Sequence, residues 1–449
     1  MKTLKVKDIL KVTNGKLVYG NEETECIDFC KDTRVIKEND IYIGFKGEKV
    51  DGSTFYETAF NNGAKGCIIN EIDNIKEVKD KFVIVVEDTV KAIGQIAKLK
   101  RQMYNIPVVA ITGSVGKTST KDMIYSVVST KYKTLKTQGN MNNEIGMPLT
   151  ILNLKDEEAL VLEMGMNHLG ELSRLTNIAK PTIAVITNVG TAHIGNLGSR
   201  ENILKAKLEI LEGLNDEGVA IINNDNDLLH KWYEEQNTYK VITFGINNES
   251  NNMAKNINYT NSGSTFKYME NKIEVPVGGE AFVYNSLAAI SVGKVLDIPI
   301  EKIKSGILNF ELSKMRLDVI KKNGYTVIND CYNANFDSMK SSIEYLRNCV
   351  GKRKIAVLGD MLELGDFSKE LHEKVGMEVA KNNIDILITV GKESKNIARV
   401  AKENGTKEIH EFENNADAIN KIKEIMQNDD VILVKASNSM KFKEIVECL

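Results

Sequence analysis

Short apolar runs and stretches of helical spacing alternate along almost the whole chain. In the first hundred residues, "DIYIGF" and "FVIVVE" are typical of buried strands, and "FYETAFNNGAKGCIIN" is typical of a helix, a turn and a strand. The charged helix "TVKAIGQIAKLKRQMYN" follows and leads to Ile106-Pro107, where the proline marks a boundary. Residues 1–104 are therefore predicted to form a small α/β domain.

The same alternation restarts after this boundary. The predicted strands are "VVAIT", "ALVLEMG", "TIAVITNVG", "GVAIINND" and "KVITFG", with helical stretches between several of them. Alternation of this kind is typical of a mostly parallel, doubly wound sheet. The segment 247–280 is rich in Asn, Ser, Thr and Gly and is predicted to form loops or short antiparallel strands. Residues 105–312 are predicted to form a central domain.

The alternation restarts once more between residues 313 and 449. Helices such as "SKELHEKVGMEVAKN" and "NADAINKIKEIMQ" separate the predicted strands "YTVIND", "KIAVLGD", "DILITVG", "EIHEF" and "VILVKAS". This pattern predicts a Rossmann-like open sheet that lacks the Gly-x-Gly-x-x-Gly fingerprint. The sequence thus predicts an α/β protein of three domains, which is also what 449 residues favour.

Composition narrows the class of protein. Apolar residues make up 42% and charged residues 27%, as in ordinary globular proteins, and the net charge of −3 gives no bulk attraction to nucleic acid. No run approaches the roughly 20 apolar residues of a membrane span, and the N-terminus mixes charges into its apolar positions, unlike a signal peptide. The six scattered cysteines favour reduced thiols over a zinc site. We expect a cytoplasmic monomer that binds neither nucleic acid nor membrane.

One strand-to-helix junction carries a lysine among glycines, in "VVAITGSVGKTSTKDMI" at 108–124. The usual phosphate-binding loop would have its first glycine at Ile111, but the glycine stands at Gly113. A β-branched strand before the loop and helical spacing after it still favour a phosphate site, because free N–H groups and the helix dipole would face the turn. Lys117 would reach the outer phosphates and Thr118 would offer its hydroxyl to Mg²⁺. The alternative is an ordinary glycine turn beside an exposed lysine.

Two further strand ends carry polar groups. Glu163 ends the run "ALVLE", and His193 follows the strand in "ITNVGTAHIG". The carboxyl ends of neighbouring strands line the ligand crevice of an open α/β sheet, and a carboxylate there suits a hard cation. The alternatives are that Glu163 caps the following helix and that His193 is structural.

Several longer stretches, spread over nearly the whole chain, form a recognisable series of motifs. The loop "TGSVGKTS" is followed by "NMNNEIGMPLTIL" at 140–152, "EMGMNHLGEL" at 163–172 and "ITNVGTAHIGNLGSRENILKAKLEI" at 186–210. Later stretches are "YNSLAA" at 284–289, "MRLDVI" at 315–320, "DCYNANFDSM" at 330–339, "LGDMLELG" at 358–365 and "LVKASNSM" at 433–440; "DTRVIKENDIYIGFKGEKVDG" lies near the N-terminus. Together they resemble the Mur ligase family, whose own loop variant is Gly-x-x-Gly-Lys-Thr.

The resemblance implies a domain that binds a UDP-linked substrate, a central ATPase and a Rossmann-like domain for an incoming amine. Within the family, "NNEIGMPLT" and "DCYNAN" point to the branch that adds D-alanyl-D-alanine to UDP-N-acetylmuramoyl-tripeptide, the last cytoplasmic step of peptidoglycan precursor synthesis. In that reaction ATP and Mg²⁺ convert a carboxylate into an acyl phosphate, which the amine attacks. A third-residue-adding or folate-glutamate ligase, or a nucleotide-binding regulator without ligase activity, are the alternatives.

The resemblance also implies roles for individual residues. The implied Mg²⁺ ligands are Thr118, Glu163 and His193, and the implied catalytic residues are Lys117, His193 and Lys207. The implied ATP contacts are Gly113, Ser114, Val115, Gly116, Lys117, Thr118, Ser119, Asn285, Arg316 and Asp330. The implied UDP-substrate contacts are Thr33, Arg34, Asn142 and Asn143, and the implied dipeptide contacts are Asn333 and Asn335.

Lys207, in "KAKLEI", matches a position that carries a carbamate in related ligases. Neutral lysine and CO₂ would give an anion on a long arm, suited to Mg²⁺. The alternative is an exposed helix lysine, since Lys205 lies two residues away.

The chain departs from the family pattern at four positions. Ser53, Tyr284 and Phe336 stand where the family often has His, His and Pro, and Asn438 stands where it often has an Arg.

Overall fold

The N-terminal part of the chain is a small α/β unit. A computed structural model describes residues 2–260 and 263–449. The strands of this part are β1 (Leu4–Lys5), β2 (Lys16–Tyr19), β3 (Glu25–Cys26), β4 (Phe29–Cys30), β5 (Ile41–Ile43), β6 (Gly66–Ile69) and β7 (Phe82–Val85), and its helices are α1 (Val6–Thr13), α2 (Tyr56–Asn61) and α3 (Thr89–Gln102). The main sheet has the order β2-β7-β6-β5-β4, with only β2 antiparallel to its neighbour. Strands β1 and β3 form a separate antiparallel pair.

The central part is built on a seven-stranded parallel sheet. Its strands are β8 (Val108–Thr112), β9 (Thr134–Lys136), β10 (Ala159–Glu163), β11 (Ile183–Ile186), β12 (Val219–Asn223), β13 (Lys240–Gly245) and β14 (Asn252–Met253). Its helices are α4 (Lys117–Val128), α5 (Gly146–Leu152), α6 (Glu171–Ala179), α7 (Ile194–Leu197), α8 (Arg200–Leu208), α9 (Asp227–Glu235), α10 (Glu280–Val295) and α11 (Ile300–Leu308). The strand order is β14-β13-β12-β11-β8-β10-β9, which confirms the predicted doubly wound sheet.

A small antiparallel sheet follows, made of β15 (Lys255–Thr260), β16 (Gly263–Tyr268) and β17 (Asn271–Val275). It confirms the short antiparallel strands predicted within 247–280, of which residues 261 and 262 lie outside the described residues.

The C-terminal part is a six-stranded open sheet. Its strands are β18 (Asp318–Lys321), β19 (Thr326–Asn329), β20 (Arg353–Gly359), β21 (Ile386–Val390), β22 (Glu408–Phe412) and β23 (Asp430–Lys435), and its helices are α12 (Phe336–Asn348), α13 (Ser368–Lys381), α14 (Lys395–Glu403), α15 (Asn415–Ile425) and α16 (Lys443–Cys448). The order is β18-β19-β23-β20-β21-β22, parallel except for the edge strand β18. This sheet confirms the predicted Rossmann-like fold.

Strand β8 shows why the central sheet is buried on both faces. Val109 and Ile111 join the core formed with α4 and α10, whereas Val108 and Ala110 join the core on the other face. Side chains alternate across a strand, so a strand covered on both faces must be apolar throughout. That is why "VVAIT" is a continuous apolar run.

The strands that the sequence patterns missed include two edge strands, and one helix start was misplaced. β9 is three half-buried residues, and β18 alternates between half-buried and exposed positions, so neither forms an apolar run. Helix α4 begins at Lys117, inside the segment predicted as the loop. Among the described residues, no helix is both long and apolar enough to cross a bilayer.

Candidate active site

Three adjacent strands of the central sheet open onto one edge. In the order β11-β8-β10, Ile186 pairs with Thr112 and Glu163 pairs with Ile111. The loop after β8, the end of β10 and the turn after β11 therefore lie side by side. An open parallel sheet binds its ligands outside these carboxyl ends.

The loop between β8 and α4 is held in shape by the residues that follow β11. The Asn188 side-chain oxygen accepts hydrogen bonds from the backbone N–H groups of Ser114 (3.1 Å) and Val115 (2.9 Å), and the Thr187 hydroxyl donates to the Val115 carbonyl (2.8 Å). A Cβ on Gly113 would stand 1.9 Å from Thr187 Oγ1, so only glycine fits there. Gly116, at φ +82°, adopts the left-handed conformation at the start of α4.

Lys117 folds back over the loop. Its ammonium donates to the Gly113 carbonyl at 2.7 Å, and the side chain is half-buried rather than exposed. Burial lowers the Lys117 pKa, while Glu163 opposes the shift and Arg316 adds to it. The first N–H groups of a helix lack intrahelical partners. Lys117 and the start of α4 thus combine a cation with free donors, and the alternative of an exposed lysine is wrong.

Glu163 presents a buried carboxylate oxygen without a partner. The side-chain amide of Asn142 donates to Oε1 at 2.8 Å, whereas Oε2 is buried and has no hydrogen-bond partner among the described residues. The buried Thr118 lies at the start of α4. The helix after β10 begins at Glu171 with Gly170 as its N-cap, so Glu163 does not cap it. Oε2 is therefore available to a ligand.

His193 stands at the start of α7 with a positive φ of 63°. Its Nδ1 lies 3.0 Å from Oε2 of Glu363, on the loop after β20. Burial, together with the charges of Lys117 and Lys207, lowers the pKa of His193 to about 4, although Glu363 opposes the shift. The imidazole is therefore neutral at neutral pH.

Lys207 is a buried lysine that has no acidic partner among the described residues. The residue is 1% exposed, and its ammonium makes no hydrogen bond or ion pair with the residues the structure describes. Burial holds the Lys207 pKa well below its usual value, and Lys117 lowers it further. Lys205, two residues away, is exposed. The alternative of an exposed helix lysine is therefore wrong for Lys207.

A cavity of about 390 Å³ lies between the central and C-terminal parts. Predicted site residues that line it are Ser114, Val115, Gly116, Lys117, Thr118, Ser119, Asn142, Asn143, Glu163, His193, Asn285, Arg316, Asp330, Asn333 and Asn335. The structure thus brings together most of the residues implied for ATP, metal and dipeptide.

On the C-terminal wall, Asp330 is the centre of a polar cluster. Its Oδ1 accepts from the Leu317 N–H at 3.1 Å, and its Oδ2 accepts from Ser342 Oγ and Lys435 Nζ, both at 2.6 Å. The Lys435 ammonium also donates to the Asn333 carbonyl at 3.1 Å. Sequence reasoning missed Lys435, although it ends the predicted strand "VILVK" as Glu163 ends "ALVLE".

Two predicted nucleotide contacts are fixed by neighbours. The Asn285 oxygen accepts from the Thr120 hydroxyl at 2.8 Å, which ties α10 to α4. The Arg316 guanidinium lies 4.1 Å from the centre of the Tyr332 ring, a cation–π distance. Both residues are held at the cavity wall, and neither has a charged partner among the described residues.

The asparagine side chains predicted to contact the substrates differ in whether they are already hydrogen-bonded to the backbone. The Asn143 oxygen accepts from the N–H of Gly146 at 2.9 Å and so opens α5. The Asn335 oxygen caps α12, whose first residue is Phe336. Asn333 is exposed, and the one hydrogen bond its side-chain oxygen accepts from the described residues comes from the N–H of Ala334. The Asn143 and Asn335 side chains hold the backbone at the starts of α5 and α12, whereas Asn333 can turn toward a ligand.

Thr33 and Arg34 lie in the N-terminal part and do not line the cavity. The Arg34 guanidinium is 85% exposed and forms a two-point ion pair with Asp32. The Thr33 carbonyl accepts from the side chain of Asn62 at 2.9 Å. The structure therefore separates these two residues from those that line the cavity.

Three of the departures from the family pattern have local partners. Ser53 is buried and its hydroxyl accepts from the N–H of Asn70, and the Tyr284 hydroxyl donates to Asp225 at 2.9 Å. The Asn438 amide donates to the Tyr332 carbonyl at 3.1 Å. Each replacement is thus accommodated in this chain.

Comparisons with known proteins agree with this geometry. Residues 111–293 match the Mur ligase middle domain and residues 315–438 match the Mur ligase, glutamate ligase domain. The chain is 38% identical to the UDP-N-acetylmuramoyl-tripeptide–D-alanyl-D-alanine ligase of Bacillus subtilis, covering 99% of this chain and 98% of the relative.

Solved structures give the same result. A crystal structure of MurF from Acinetobacter baumannii superposes with a TM-score of 0.90 at 30% identity, over 100% of this chain and 98% of that one. MurF from Thermotoga maritima in complex with ADP gives a TM-score of 0.82 at 29% identity, over 94% and 96%. The chain therefore belongs to the Mur ligase family, in the branch of the UDP-N-acetylmuramoyl-tripeptide–D-alanyl-D-alanine ligases.

Proposed function

We propose that this chain joins UDP-N-acetylmuramoyl-tripeptide to D-alanyl-D-alanine at the expense of ATP, the last cytoplasmic step in making the peptidoglycan precursor. The observation that carries the proposal is the cavity of about 390 Å³, in which a nucleotide loop faces the C-terminal wall. A ligase must bring a phosphorylated carboxylate and an amine together, and a cavity between two parts of the chain serves that need.

The chemistry follows from the poor reactivity of a carboxylate. Phosphorylation by ATP converts it into an acyl phosphate with a good leaving group, and the dipeptide amine then attacks through a tetrahedral oxyanion. Carboxylate and triphosphate are both anions, so the site must supply positive charge. Lys117 and the free N–H groups at the start of α4 bind the outer phosphates, and Asn285, Arg316 and Asp330 contact the rest of the nucleotide.

The residues present fit a magnesium ion. Glu163 Oε2 is buried and unpartnered, and an oxygen of this kind is stabilised by a hard cation. Thr118, Glu163 and neutral His193 would hold Mg²⁺, which when bound neutralises phosphate charge during transfer. Among the described residues no cluster of three or more His, Cys, Asp or Glu could hold a metal by itself, so the ion would also need oxygens from the nucleotide or from water.

The surroundings of Lys207 fit a carbamate. CO₂ adds to a neutral amine, and burial keeps the Lys207 amine neutral by lowering its pKa. The carbamate would place an anion where this chain has an unpaired buried lysine. Lys207 would then help to hold the cation rather than repel it.

The three parts of the chain have separate roles in this proposal. We assign UDP-substrate binding to residues 1–104, with Thr33 and Arg34, and nucleotide chemistry to 105–312, where Asn142 and Asn143 meet the sugar and peptide. Residues 313–449 bind the dipeptide with Asn333 and Asn335. The separate sheets support these boundaries. We also propose that the enzyme is a cytoplasmic monomer.

The test is a product assay with purified protein, ATP and Mg²⁺. UDP-N-acetylmuramoyl-tripeptide is supplied with either diaminopimelate or lysine as its third residue, with and without D-alanyl-D-alanine. We expect phosphate release and a new pentapeptide mass only when both substrates are present. The preferred tripeptide then identifies the third residue.

Phosphate release that does not depend on the two substrates would contradict the proposal and favour a nucleotide-binding regulator. Addition of a single amino acid instead of the dipeptide would favour another branch of the family.

A further inference from the structure

Two carboxylates of the C-terminal part hold one short turn of the central part. Asp337 Oδ2 accepts from both the N–H (2.7 Å) and the hydroxyl (2.8 Å) of Thr191. Two residues later, His193 Nδ1 lies 3.0 Å from Glu363 Oε2. Asp337 is in the first turn of α12 and Glu363 follows β20, so separate elements of the C-terminal sheet reach the same turn.

The turn is shaped for this contact. A Cβ on Gly190 would stand 2.2 Å from Asp337 Oδ2, and a Cβ on Gly195 would stand 2.6 Å from the Glu363 carbonyl oxygen. Glycine on each side of His193 therefore allows the two parts to approach this closely. His193 and Glu363 also both have a φ of 63°, a conformation that non-glycine residues seldom adopt without surrounding support.

The contact fixes which ring nitrogen of His193 carries the proton. Oε2 of Glu363 faces Nδ1 at 3.0 Å and accepts a hydrogen bond there, so Nδ1 is the donor. Nε2 then carries the lone pair, and His193 lines the nucleotide cavity. A carboxylate behind a histidine sets ring orientation and tautomer in this way in metal sites generally.

We propose that Glu363 and Asp337 are positioning residues for the nucleotide site, Glu363 by setting the tautomer and orientation of His193 and Asp337 by fixing the backbone of its turn. This inference rests on the proposed function. The residues of the central part that line the cavity are here called the nucleotide wall. The orientation of His193, which belongs to this wall, then depends on residues of the C-terminal part, to which we assign binding of the amine. Full phosphoryl transfer therefore requires the C-terminal part to be docked.

The first test does not require substrates. The chain has five histidines, so ¹⁵N NMR of the metal-free protein can resolve the His193 ring. We expect wild type to show His193 protonated at Nδ1, Glu363→Ala to shift toward protonation at Nε2, and Glu363→Gln to keep the wild-type tautomer because its amide oxygen still accepts. Asp366→Ala, which removes an exposed carboxylate three residues away, is the matched control and leaves the signal unchanged.

The second test is turnover in the ligation assay. Removing an outer partner of a metal-site histidine costs about 10- to 100-fold. We expect kcat to fall about tenfold or more in Glu363→Ala, less in Asp337→Ala, and little in Glu363→Gln and Asp366→Ala. KM for the UDP-peptide should stay constant, because Thr33 and Arg34 lie elsewhere.

Glu363→Ala with a wild-type tautomer, or with turnover within twofold of wild type, overturns the inference. Lowered melting temperature with an unchanged His193 signal also overturns it and indicates a purely structural contact. If wild type forms no ligation product, the proposed function fails, whereas the NMR pattern still decides the role of Glu363.

Discussion

The nucleotide wall and the residues implied for UDP binding are built in opposite ways. On the nucleotide wall, Glu163 is buried and leaves one carboxylate oxygen without a partner among the described residues, and Asn188 holds the loop in shape. In the N-terminal part, Arg34 is exposed and already paired with Asp32. The nucleotide wall thus already contains an unpaired polar group before any ligand binds. At the proposed UDP site, a ligand must replace Asp32 as the partner of Arg34.

The difference has an energetic meaning. Buried polar groups without partners destabilise the free protein, so a ligand that satisfies them gains affinity without first breaking bonds. An exposed ion pair contributes little stability and is easily exchanged. Substitutions on the nucleotide wall should therefore affect catalysis strongly, and substitutions at the UDP site should mainly affect binding.

The largest effect is expected for Lys117→Ala. The nucleotide loop loses its only lysine, and removal of one preorganised electrostatic group costs about 100-fold or more in kcat. Turnover is measured as phosphate released with both substrates present. Lys131→Ala, which removes an exposed lysine beyond the end of α4, is the control and should keep wild-type turnover. Activity within tenfold of wild type in Lys117→Ala would contradict the phosphate-loop assignment.

The next largest effect is expected for Lys207→Ala. If Lys207 carries a carbamate, its removal should lower kcat about 10- to 100-fold, the range for groups that support a metal site. Formate or acetate at fixed ionic strength should restore part of the loss, because a small carboxylate can occupy the space. The exposed Lys205→Ala is the matched control. Near-normal turnover in Lys207→Ala would remove the carbamate from the mechanism.

A smaller effect, of a different kind, is expected for Arg34→Ala. Loss of a charge-assisted hydrogen bond of about 1.5 kcal/mol raises KM for the UDP-peptide about tenfold and leaves kcat unchanged. Steady-state kinetics with varied UDP-peptide measure both constants. Arg347→Ala removes an exposed arginine from α12 and should change neither. A drop in kcat with constant KM would show that the two sites do not differ as described.

The smallest effect is a gain in stability for Lys207→Met in CO₂-depleted buffer. Replacing a buried, unpaired lysine with an apolar side chain should raise the free energy of unfolding by about 1 kcal/mol at pH 7. The unfolded lysine titrates near pH 10.4, and burial lowers the folded pKa. At a pH between the folded and the unfolded pKa of Lys207, only the unfolded state holds the proton. The free energy of unfolding of the wild type therefore rises with pH, and the difference in favour of Lys207→Met becomes smaller.

Urea unfolding of both proteins at pH 7 and pH 9.5 measures this difference. An advantage of Met that grows with pH would contradict the assigned direction of the Lys207 pKa.

Sequence patterns predicted the fold, and they also predicted that polar residues meet at one edge of the central sheet, because both depend on local signals. The run "VVAIT" followed by "GSVGK" predicts a strand, a loop and a helix from neighbouring residues alone. Glu163 could be placed beside that loop because parallel strands end at one edge of their sheet. The edge strands β9 and β18 were missed because half-exposed strands give no apolar run.

Contacts between the parts of the chain could not be predicted in this way. Glu363 and Asp337 lie inside stretches that resemble the family, yet nothing local shows that they reach His193 and Thr191. Their partners are 170 and 146 residues away, and the pairing depends on how two sheets dock. Lys435 was missed for a similar reason, since its partner Asp330 is 105 residues away on another strand.

The tight packing at Gly113 bears on how an inhibitor of this enzyme could be evaded. One added methyl group there would meet Thr187 Oγ1 at 1.9 Å, inside contact distance. A compound that draws its affinity from the loop in the shape that Gly113 gives it would depend on a position where no other side chain fits. Escape variants should therefore arise at the rim of the cavity rather than at Gly113, so compounds that avoid rim contacts should select resistance more slowly.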